Sequence, residues 1–188
     1  MDATQERALV GRLRAGERDA FDEAYAGLRD RVLRFLVRLS SRRDLADDLA
    51  QEVWLRLARS APRLAPDTRL TAWLFTVARN LYVSHWRAVR VAAQLAGDLL
   101  PPPPPAPSPF DGAAVSQTSA RVERAVAALP DAYREILLLC AIEGLAPSEA
   151  AVVLGIKPDA ARQRLARARA MIEAAIEPTR RYAGGDTP

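Results

Sequence analysis

The sequence predicts an all-α protein made of two small helical domains joined by a proline-rich linker. Apolar residues recur at helical spacing in both halves of the 188-residue chain, and no stretch has the pattern of a strand series. Between the halves, Pro101 to Pro105 are consecutive, and Pro107 and Pro109 follow. Such a run favours polyproline II, which extends by about 3.1 Å per residue and acts as a semi-rigid spacer. We therefore expect a first domain over 1–94, a linker over 95–119, a second domain over 120–177 and a tail over 178–188.

Three helices are predicted in the first domain, over 17–39, 43–60 and 70–90. The second of them has an apolar stripe with a spacing of four: Leu45, Leu49, Val53 and Leu57. Beside this stripe lies an acidic stripe with candidate partner-binding residues Asp47, Asp48, Gln51 and Glu52. The pattern fits either a solvated face that suits the helix dipole or a docking surface for a basic partner.

The third predicted helix has a different character, because the chain from Thr68 to Gly97 contains arginines and aromatic residues but no acid. One stripe of this helix holds Trp73, Val77 and Leu81, and another holds Phe75, Arg79, Tyr82 and Trp86. Aromatic residues interleaved with arginine are typical of single-stranded nucleic-acid binding, in which bases stack and phosphates pair with cations. Some of these aromatics must be core, and we expect Trp73 and at least one other to be so. Asn80 and Ser84 are candidates for directional hydrogen bonds to a base, or else ordinary surface polar residues.

The second domain contains a predicted helix–turn–helix. Its first helix runs from about Pro147 to Leu154, Gly155 ends it, and Pro158 opens the next helix. In that second helix a buried stripe is expected at Ala161, Leu165, Ala168 and Ile172. Gln163 and Arg167 point away from the stripe, and Arg162 and Arg164 flank it. These side chains suit the reading of base edges and the clamping of phosphates, although a helical hairpin with a solvated basic face is the alternative.

The composition argues against several other classes of protein. One cysteine, Cys140, and one histidine, His85, exclude an internal disulfide and make a zinc site within the chain implausible. We expect Cys140 to be a core residue, and we expect no metal and no other cofactor. No apolar run approaches the ~20 residues of a membrane helix, and the N-terminus lacks a secretory signal, so a cytoplasmic protein is expected. An enzyme is disfavoured, since neither a metal-ligand cluster nor a phosphate-binding glycine loop is present.

Six motifs in order resemble bacterial sigma factors of the two-domain extracytoplasmic-function (ECF) group. In the first domain they are Ala20-Phe21, the run from Asp47 to Trp54, and the run from Trp73 to Leu81. In the second they are the run from Leu129 to Glu135, Glu143-Gly144-Leu145, and Leu154-Gly155-Ile156 leading into Arg164 to Arg169. The resemblance covers residues 18–92 and 120–176.

The resemblance implies a role for each domain. The first would be the sigma region 2 module, which docks on the clamp coiled coil of the largest subunit of core RNA polymerase through Asp47, Asp48, Gln51 and Glu52. It would open the −10 element and hold the unpaired strand with Arg69, Trp73, Arg79, Asn80, Ser84, Trp86 and Arg87. The second would be the region 4 module, with a recognition helix that binds the −35 duplex through Lys157, Ala160, Arg162, Gln163, Arg164 and Arg167. The linker would run toward the RNA exit path, and an anti-sigma factor is the expected regulator.

The sequence departs from the family pattern at three places. Ser84 stands where an acid is common, Ala146 stands where a Ser or Thr helix cap is more usual, and the recognition helix begins Pro158-Asp159-Ala160-Ala161. Two other functions remain open at this level. One is a sigma-like decoy that sequesters an anti-sigma factor, and the other is a stand-alone helix–turn–helix regulator.

Overall fold

The computed structural model describes residues 3–95 and 117–176. The first block folds as four helices: α1 (Ala3–Arg14), α2 (Arg18–Ser40), α3 (Arg43–Ser60) and α4 (Leu70–Leu95). A short 3-10 turn at Ala61–Arg63 follows α3. The three predicted helices of this block are confirmed to within two residues, except that α4 continues five residues beyond its predicted end.

Helix α1 was missed because its sequence carries few apolar residues. Leu9, Val10 and Leu13 are buried, and α1 packs against α2 and the 3-10 turn. The spacing of four between Leu9 and Leu13 is the only helical signal in the segment, and it is too short to stand out. Packing on α2, rather than local propensity, therefore accounts for α1.

The second block contains α5 (Gln117–Ala127), α6 (Asp131–Leu137), α7 (Pro147–Leu154) and α8 (Pro158–Ile176). Helix α6 continues into one wider π-type turn at Leu138–Ile142, after which Gly144 reverses the chain with a φ of +72°. Gly155 ends α7 with a φ of +65°, a left-handed conformation that glycine adopts without a steric penalty. The predicted helix–turn–helix is thus confirmed, as is the all-α class: within 3–95 and 117–176 no residue lies in a strand.

Ala146 precedes α7 and has no side chain with which to cap it. The first turn is capped from the other direction, because the Ala146 N–H donates to Glu149 Oε2 at 2.9 Å. This is half of the reciprocal arrangement known as a capping box. Glu149 therefore compensates in part for the unusual residue at the cap.

The two blocks pack against each other, with α7 on α4 and the π-type turn on α2. Their buried apolar residues form one hydrophobic cluster that includes Phe35, Phe75, Ile136, Leu139 and Leu165. The predicted linker lies mostly outside the described residues, as does the tail at 178–188. No described helix is long and apolar enough to cross a bilayer.

Candidate polymerase and nucleic-acid interfaces

Helix α3 buries its apolar stripe as predicted and turns its acidic stripe outward. Asp48 and Gln51 are exposed, whereas Asp47 and Glu52 are partly buried. Two of the carboxylates are tied to arginines one turn away, Asp47 to Arg43 at 3.0 Å and Glu52 to Arg56 at 3.1 Å. Such exposed i,i+4 pairs contribute only a few tenths of a kcal/mol, so they restrain the carboxylates without removing them from solvent.

Two exposed apolar side chains, on α3 and on α2, were not predicted from the sequence. The side chain of Leu55 is 50% exposed, and it lies on α3 one turn after Gln51 and Glu52. Tyr25 on α2 is 40% exposed, and its ring meets that of buried Trp54 edge-on at 5.0 Å. The sequence did not mark Leu55 as a candidate binding residue, because a single leucine outside the apolar stripe of a helix is common on protein surfaces.

The aromatic residues of α4 divide differently from the expectation. Phe75 is 1% exposed and packs edge-on against Phe35 at 5.1 Å, and Tyr82 is also buried. Trp73 and Trp86 are only partly buried. The core was expected to hold Trp73 and at least one other aromatic. It holds Phe75 and Tyr82, which lie on the same side of α4 as Leu74, Ala78 and Leu81, whereas Trp73 packs only partly buried against it. The two tryptophans are left as the aromatics with accessible surface.

Tyr82 packs directly against Trp86. Their rings meet edge-on at 6.4 Å, and His85 contacts the same indole ring at 5.8 Å. Burial raises the pKa of the Tyr82 phenol, with the Asp131 carboxylate adding to the rise. Tyr82 therefore stays neutral and acts as a packing platform for Trp86 rather than as an acid or base.

The polar candidates of α4 separate into two sets. Asn80, Ser84 and Arg87 are exposed along one length of the helix. Arg69 and Arg79, by contrast, are engaged by carboxylates of the second block: Arg69 Nη2 lies 2.9 Å from Glu149 and Arg79 Nε lies 3.1 Å from Glu135. The sequence named all five as candidate contacts to nucleic acid. In this arrangement Arg79 is partly buried against Glu135, whereas Arg69 is exposed but paired with Glu149.

Glu6 of α1 holds the start of α4 and was not predicted to matter. Its buried carboxylate accepts a hydrogen bond from the Thr71 backbone N–H at 2.7 Å and another from Arg69 Nε at 2.8 Å. A carboxylate at a helix N-terminus binds both the unpaired N–H groups and the positive end of the helix dipole. Glu6 therefore fixes the junction between α4 and the loop that precedes it.

The second helix of the helix–turn–helix presents its predicted outer face. Ala161, Leu165 and Ala168 are buried against the rest of the block, and Ile172 is partly buried. Of the candidate DNA-binding residues, Lys157, Arg162, Gln163 and Arg167 are exposed, while Ala160 and Arg164 are partly buried. Arg162 forms an ion pair with Asp159 one turn earlier. The exposed candidates are thus cationic and amide donors that lie outside the buried stripe of α8.

Within 3–95 and 117–176, no three His, Cys, Asp or Glu side chains are grouped to hold a metal ion. Cys140 is partly buried at the margin of the core, and burial raises the pKa of its thiol. A protonated, half-buried thiol is a weak nucleophile.

Comparison with known proteins assigns both blocks. Residues 24–91 match the family model described as Sigma-70 region 2, and residues 119–172 match Sigma-70, region 4. RNA polymerase sigma factor CarQ of Myxococcus xanthus is 34% identical over 159 residues, which are 83% of this chain and 88% of CarQ. ECF RNA polymerase sigma factor SigE of Mycolicibacterium smegmatis is 32% identical over 173 residues, which are 89% of this chain and 63% of SigE.

Two solved structures resemble the fold. Sigma factor RpoE, from the complex with the anti-sigma factor NepR of Bartonella quintana, aligns with a TM-score of 0.72 at 22% identity and covers 83% of this chain and 96% of that one. CnrH, in complex with the cytosolic domain of CnrY, aligns with a TM-score of 0.67 at 26% identity and covers 92% of this chain and 96% of that one. The chain spans only about three fifths of SigE, but it spans most of CarQ. ECF RNA polymerase sigma factor EcfG of Rhodopseudomonas palustris is 31% identical over 143 residues, which are 76% of this chain and 77% of EcfG. The two matched regions and these relatives place this chain in the ECF group of RNA polymerase sigma factors.

Proposed function

We propose that this chain binds core RNA polymerase and directs it to promoters, opening the −10 element and anchoring on the −35 element. The observation that carries the proposal is the division of surface between two helices. Helix α3 presents carboxylates and an exposed leucine, whereas α8 presents arginines and a glutamine. One protein thus offers separate surfaces of opposite charge, as a factor that joins a protein partner to DNA requires.

The polymerase-binding surface is assigned to the acidic stripe of α3, namely Asp47, Asp48, Gln51 and Glu52. Exposed carboxylates steer a basic partner into place and set the salt dependence of association. Leu55 and Tyr25 add apolar surface beside the stripe. Apolar side chains surrounded by charge are the usual composition of an interface in which a few buried residues supply most of the affinity.

The −10 surface is assigned to α4 and the loop before it. Trp73 and Trp86 offer stacking surface, Asn80 and Ser84 offer hydrogen bonds to bases, and the arginines at 69, 79 and 87 pair with phosphates. Stacking on an aromatic side chain is worth about 1–3 kcal/mol per base. It offsets the few kcal/mol needed to extrude a base from the duplex. The chain itself breaks no covalent bond in this scheme; the polymerase performs the chemistry.

The −35 surface is assigned to α8. Gln163 and Arg167 are exposed one turn apart, a spacing that lets both reach base edges in a major groove. Lys157, Arg162 and Arg164 surround them as phosphate contacts, and Ala160 offers a small apolar surface to a thymine methyl group. An anti-sigma factor is the proposed regulator, by analogy with RpoE, which forms a complex with the anti-sigma factor NepR. The proposed place of action is the cytoplasm, where the polymerase meets the chromosome.

A run-off transcription assay with core RNA polymerase and fragments of genomic DNA tests the proposal. The wild-type chain is expected to give discrete transcripts, which core polymerase alone does not give. A double charge reversal, Asp48→Lys with Glu52→Lys, is expected to reduce binding to core by about tenfold or more while leaving the helical circular dichroism spectrum unchanged. The reason is that it replaces attraction by repulsion at the docking surface.

Glu173→Lys provides the control, because this acid is exposed on α8, in the other block. It is expected to bind core as well as the wild type does. Absence of both core binding and specific transcripts for the wild-type chain would reject the sigma function, leaving the decoy as the surviving alternative. DNA binding without any effect of core would instead favour a stand-alone regulator.

A further inference from the structure

Among the residues that the structure describes, four ion pairs join the two blocks, and all four have the same polarity. In each, the arginine belongs to the first block and the glutamate to the second. The pairs are Arg31–Glu143 at 3.0 Å, Arg38–Glu123 at 3.0 Å, Arg69–Glu149 at 2.9 Å and Arg79–Glu135 at 3.1 Å. We call the four arginines the arginine face and the four glutamates the glutamate face.

Burial makes these pairs more than incidental surface contacts. The side chains of Glu143 and Glu135 are only 3% and 9% exposed, and that of Arg38 is 17% exposed. A carboxylate removed from water in this way is strongly destabilised unless a cation faces it. Glu143 is held twice, because Arg31 Nη2 also donates to its backbone oxygen at 2.6 Å. Each carboxylate of the glutamate face is therefore paired with one guanidinium of the arginine face.

The apolar contact between α4 and α7 lies among the ion pairs. A cleft at its edge is lined by Arg31, Arg69, Glu6, Glu143 and Glu149, so water and ions reach the pairs there. This combination of an apolar contact with ion pairs of one polarity is typical of a surface built to bind a specific partner.

The arginine face overlaps the proposed surface for promoter DNA. Arg69 and Arg79 belong to the proposed −10 site, and both are occupied by glutamates of the second block. A carboxylate paired with an arginine satisfies the same positive charge that a phosphate would satisfy. Two glutamates of the glutamate face are therefore paired with the two arginines that the proposed −10 site assigns to phosphates.

We infer that the glutamate face is a binding surface for the arginine face and competes there with single-stranded promoter DNA. In the free chain the second block closes over the first, and the −10 strand binds only after the two blocks separate. The competition with DNA rests on the proposed function, whereas the closure itself does not. When only a fraction of the molecules is open, the apparent affinity for DNA falls by that fraction.

Two measurements on the full chain test the inference. The first is the distance between spin labels at Arg59→Cys on α3 and Ala174→Cys on α8, with Cys140→Ala in every variant. The second is the affinity for a short fluorescein-labelled single-stranded DNA of mixed sequence, measured without polymerase. The key variant is Glu123→Gln with Glu143→Gln, which removes two glutamates of the face while leaving every proposed DNA-binding residue in place.

This variant is expected to show a longer and broader distance distribution and an increase of about tenfold in DNA affinity, since two partly buried pairs are lost. The control, Asp30→Asn with Glu173→Gln, removes the same negative charge from exposed positions outside the interface. It is expected to keep the wild-type distance and to bind DNA no more than about twofold tighter through its added net charge. Circular dichroism confirms that each variant folds.

A charge swap guards against simple damage to the second block. Glu123→Arg alone is expected to lengthen the distance, and adding Arg38→Glu is expected to restore it. Distances that stay at the wild-type value in the double glutamine variant and in Glu123→Arg would show that the glutamate face does not hold the two blocks together, and would overturn the inference. Lengthened distances with a DNA affinity equal to that of the control would overturn the competition. The run-off assay reports on the sigma function separately, because the distance measurement involves no polymerase.

Discussion

Arg69 illustrates how a side chain acquires its role from residues far away in the sequence. Its guanidinium contacts Glu6 of α1, which precedes it in the sequence, and Glu149 of α7, which follows it. The hydrogen bond from Arg69 to Glu6 is the main reason that the pKa of the guanidinium is raised. The arginine is 55% exposed even so, and water screens these contacts. Arg69 is therefore well placed to exchange one partner for another.

Glu135 is the most informative titratable group of the interface. Burial raises its pKa above the ordinary 4.5, and Asp131 adds to the rise, whereas Arg79 from α4 and Arg164 from α8 oppose it. Because the pKa is higher in the folded protein than in the unfolded chain, the folded protein holds this proton more tightly. The stabilising contribution of this group is present below the unfolded pKa and is lost as the pH rises through the folded value.

We expect a carboxyl-carbon NMR titration of Glu135 to give a midpoint above 4.5 in the folded chain. In Arg79→Gln the midpoint should rise further, because the main opposing cation is gone while the burial remains. The urea-unfolded chain supplies the reference value. A folded midpoint at or below that reference would mean that the arginines outweigh burial at Glu135.

At the scale of the element, the buried and exposed faces of α3 and α8 could be predicted directly from their sequences. Each has one apolar stripe at helical spacing, and in each the polar residues of interest lie outside that stripe, so burial on one side determines exposure on the other. The buried face of α4 could not be predicted in this way. It is buried along a wide face that takes in Phe75 and Tyr82, and the stripe assignment depends on which neighbours cover it.

For α8 we expect Gln163→Ala and Arg167→Ala each to weaken binding to the −35 duplex of a promoter found in the run-off assay. A lost base contact is worth about 1–3 kcal/mol of discrimination. Arg169→Ala is the matched control, because this exposed arginine is on the same helix but lies toward Cys140 and outside the proposed DNA set. Footprinting of the polymerase complex on wild-type and −35-substituted DNA provides the measurement. Equal losses for Arg167→Ala and Arg169→Ala would contradict the assigned reading face.

At the scale of the whole molecule, closure of the two blocks changes how DNA binding responds to salt. Each phosphate neutralised on a single strand contributes about −0.7 to the slope of log affinity against log salt concentration. In the closed chain, salt weakens the competing ion pairs as well as the DNA contacts, so the two effects partly cancel. Binding by an open chain lacks that compensation.

The wild-type chain should therefore show a shallower salt slope for the mixed-sequence single strand than Glu123→Gln with Glu143→Gln. Fluorescence anisotropy over a series of KCl concentrations measures both slopes. Asp30→Asn with Glu173→Gln is expected to share the wild-type slope, since its two faces remain intact. A common slope for all three proteins would mean that salt does not act on the contact between the blocks.

The sequence by itself determined the all-α class, the helix–turn–helix, the outer face of α8 and the acidic stripe of α3. These features depend on residues within a few turns of each other, and local periodicity reports them directly. The sequence also identified the family, because the family's motifs are short and occur in a fixed order along the chain. Helix α1 was not predicted because its stability comes from packing on α2 and the 3-10 turn.

Only the tertiary structure decided that the two blocks close on each other. Glu123, Glu135, Glu143 and Glu149 look like ordinary surface acids in the sequence, and their arginine partners lie about 56 to 112 residues away. Charge pairing over such separations leaves no local pattern, because the distance between two side chains is set by the packing of α7 on α4 rather than by spacing along the chain. The sequence therefore showed which surfaces the protein has, and the packing of its helices decided which of them are open.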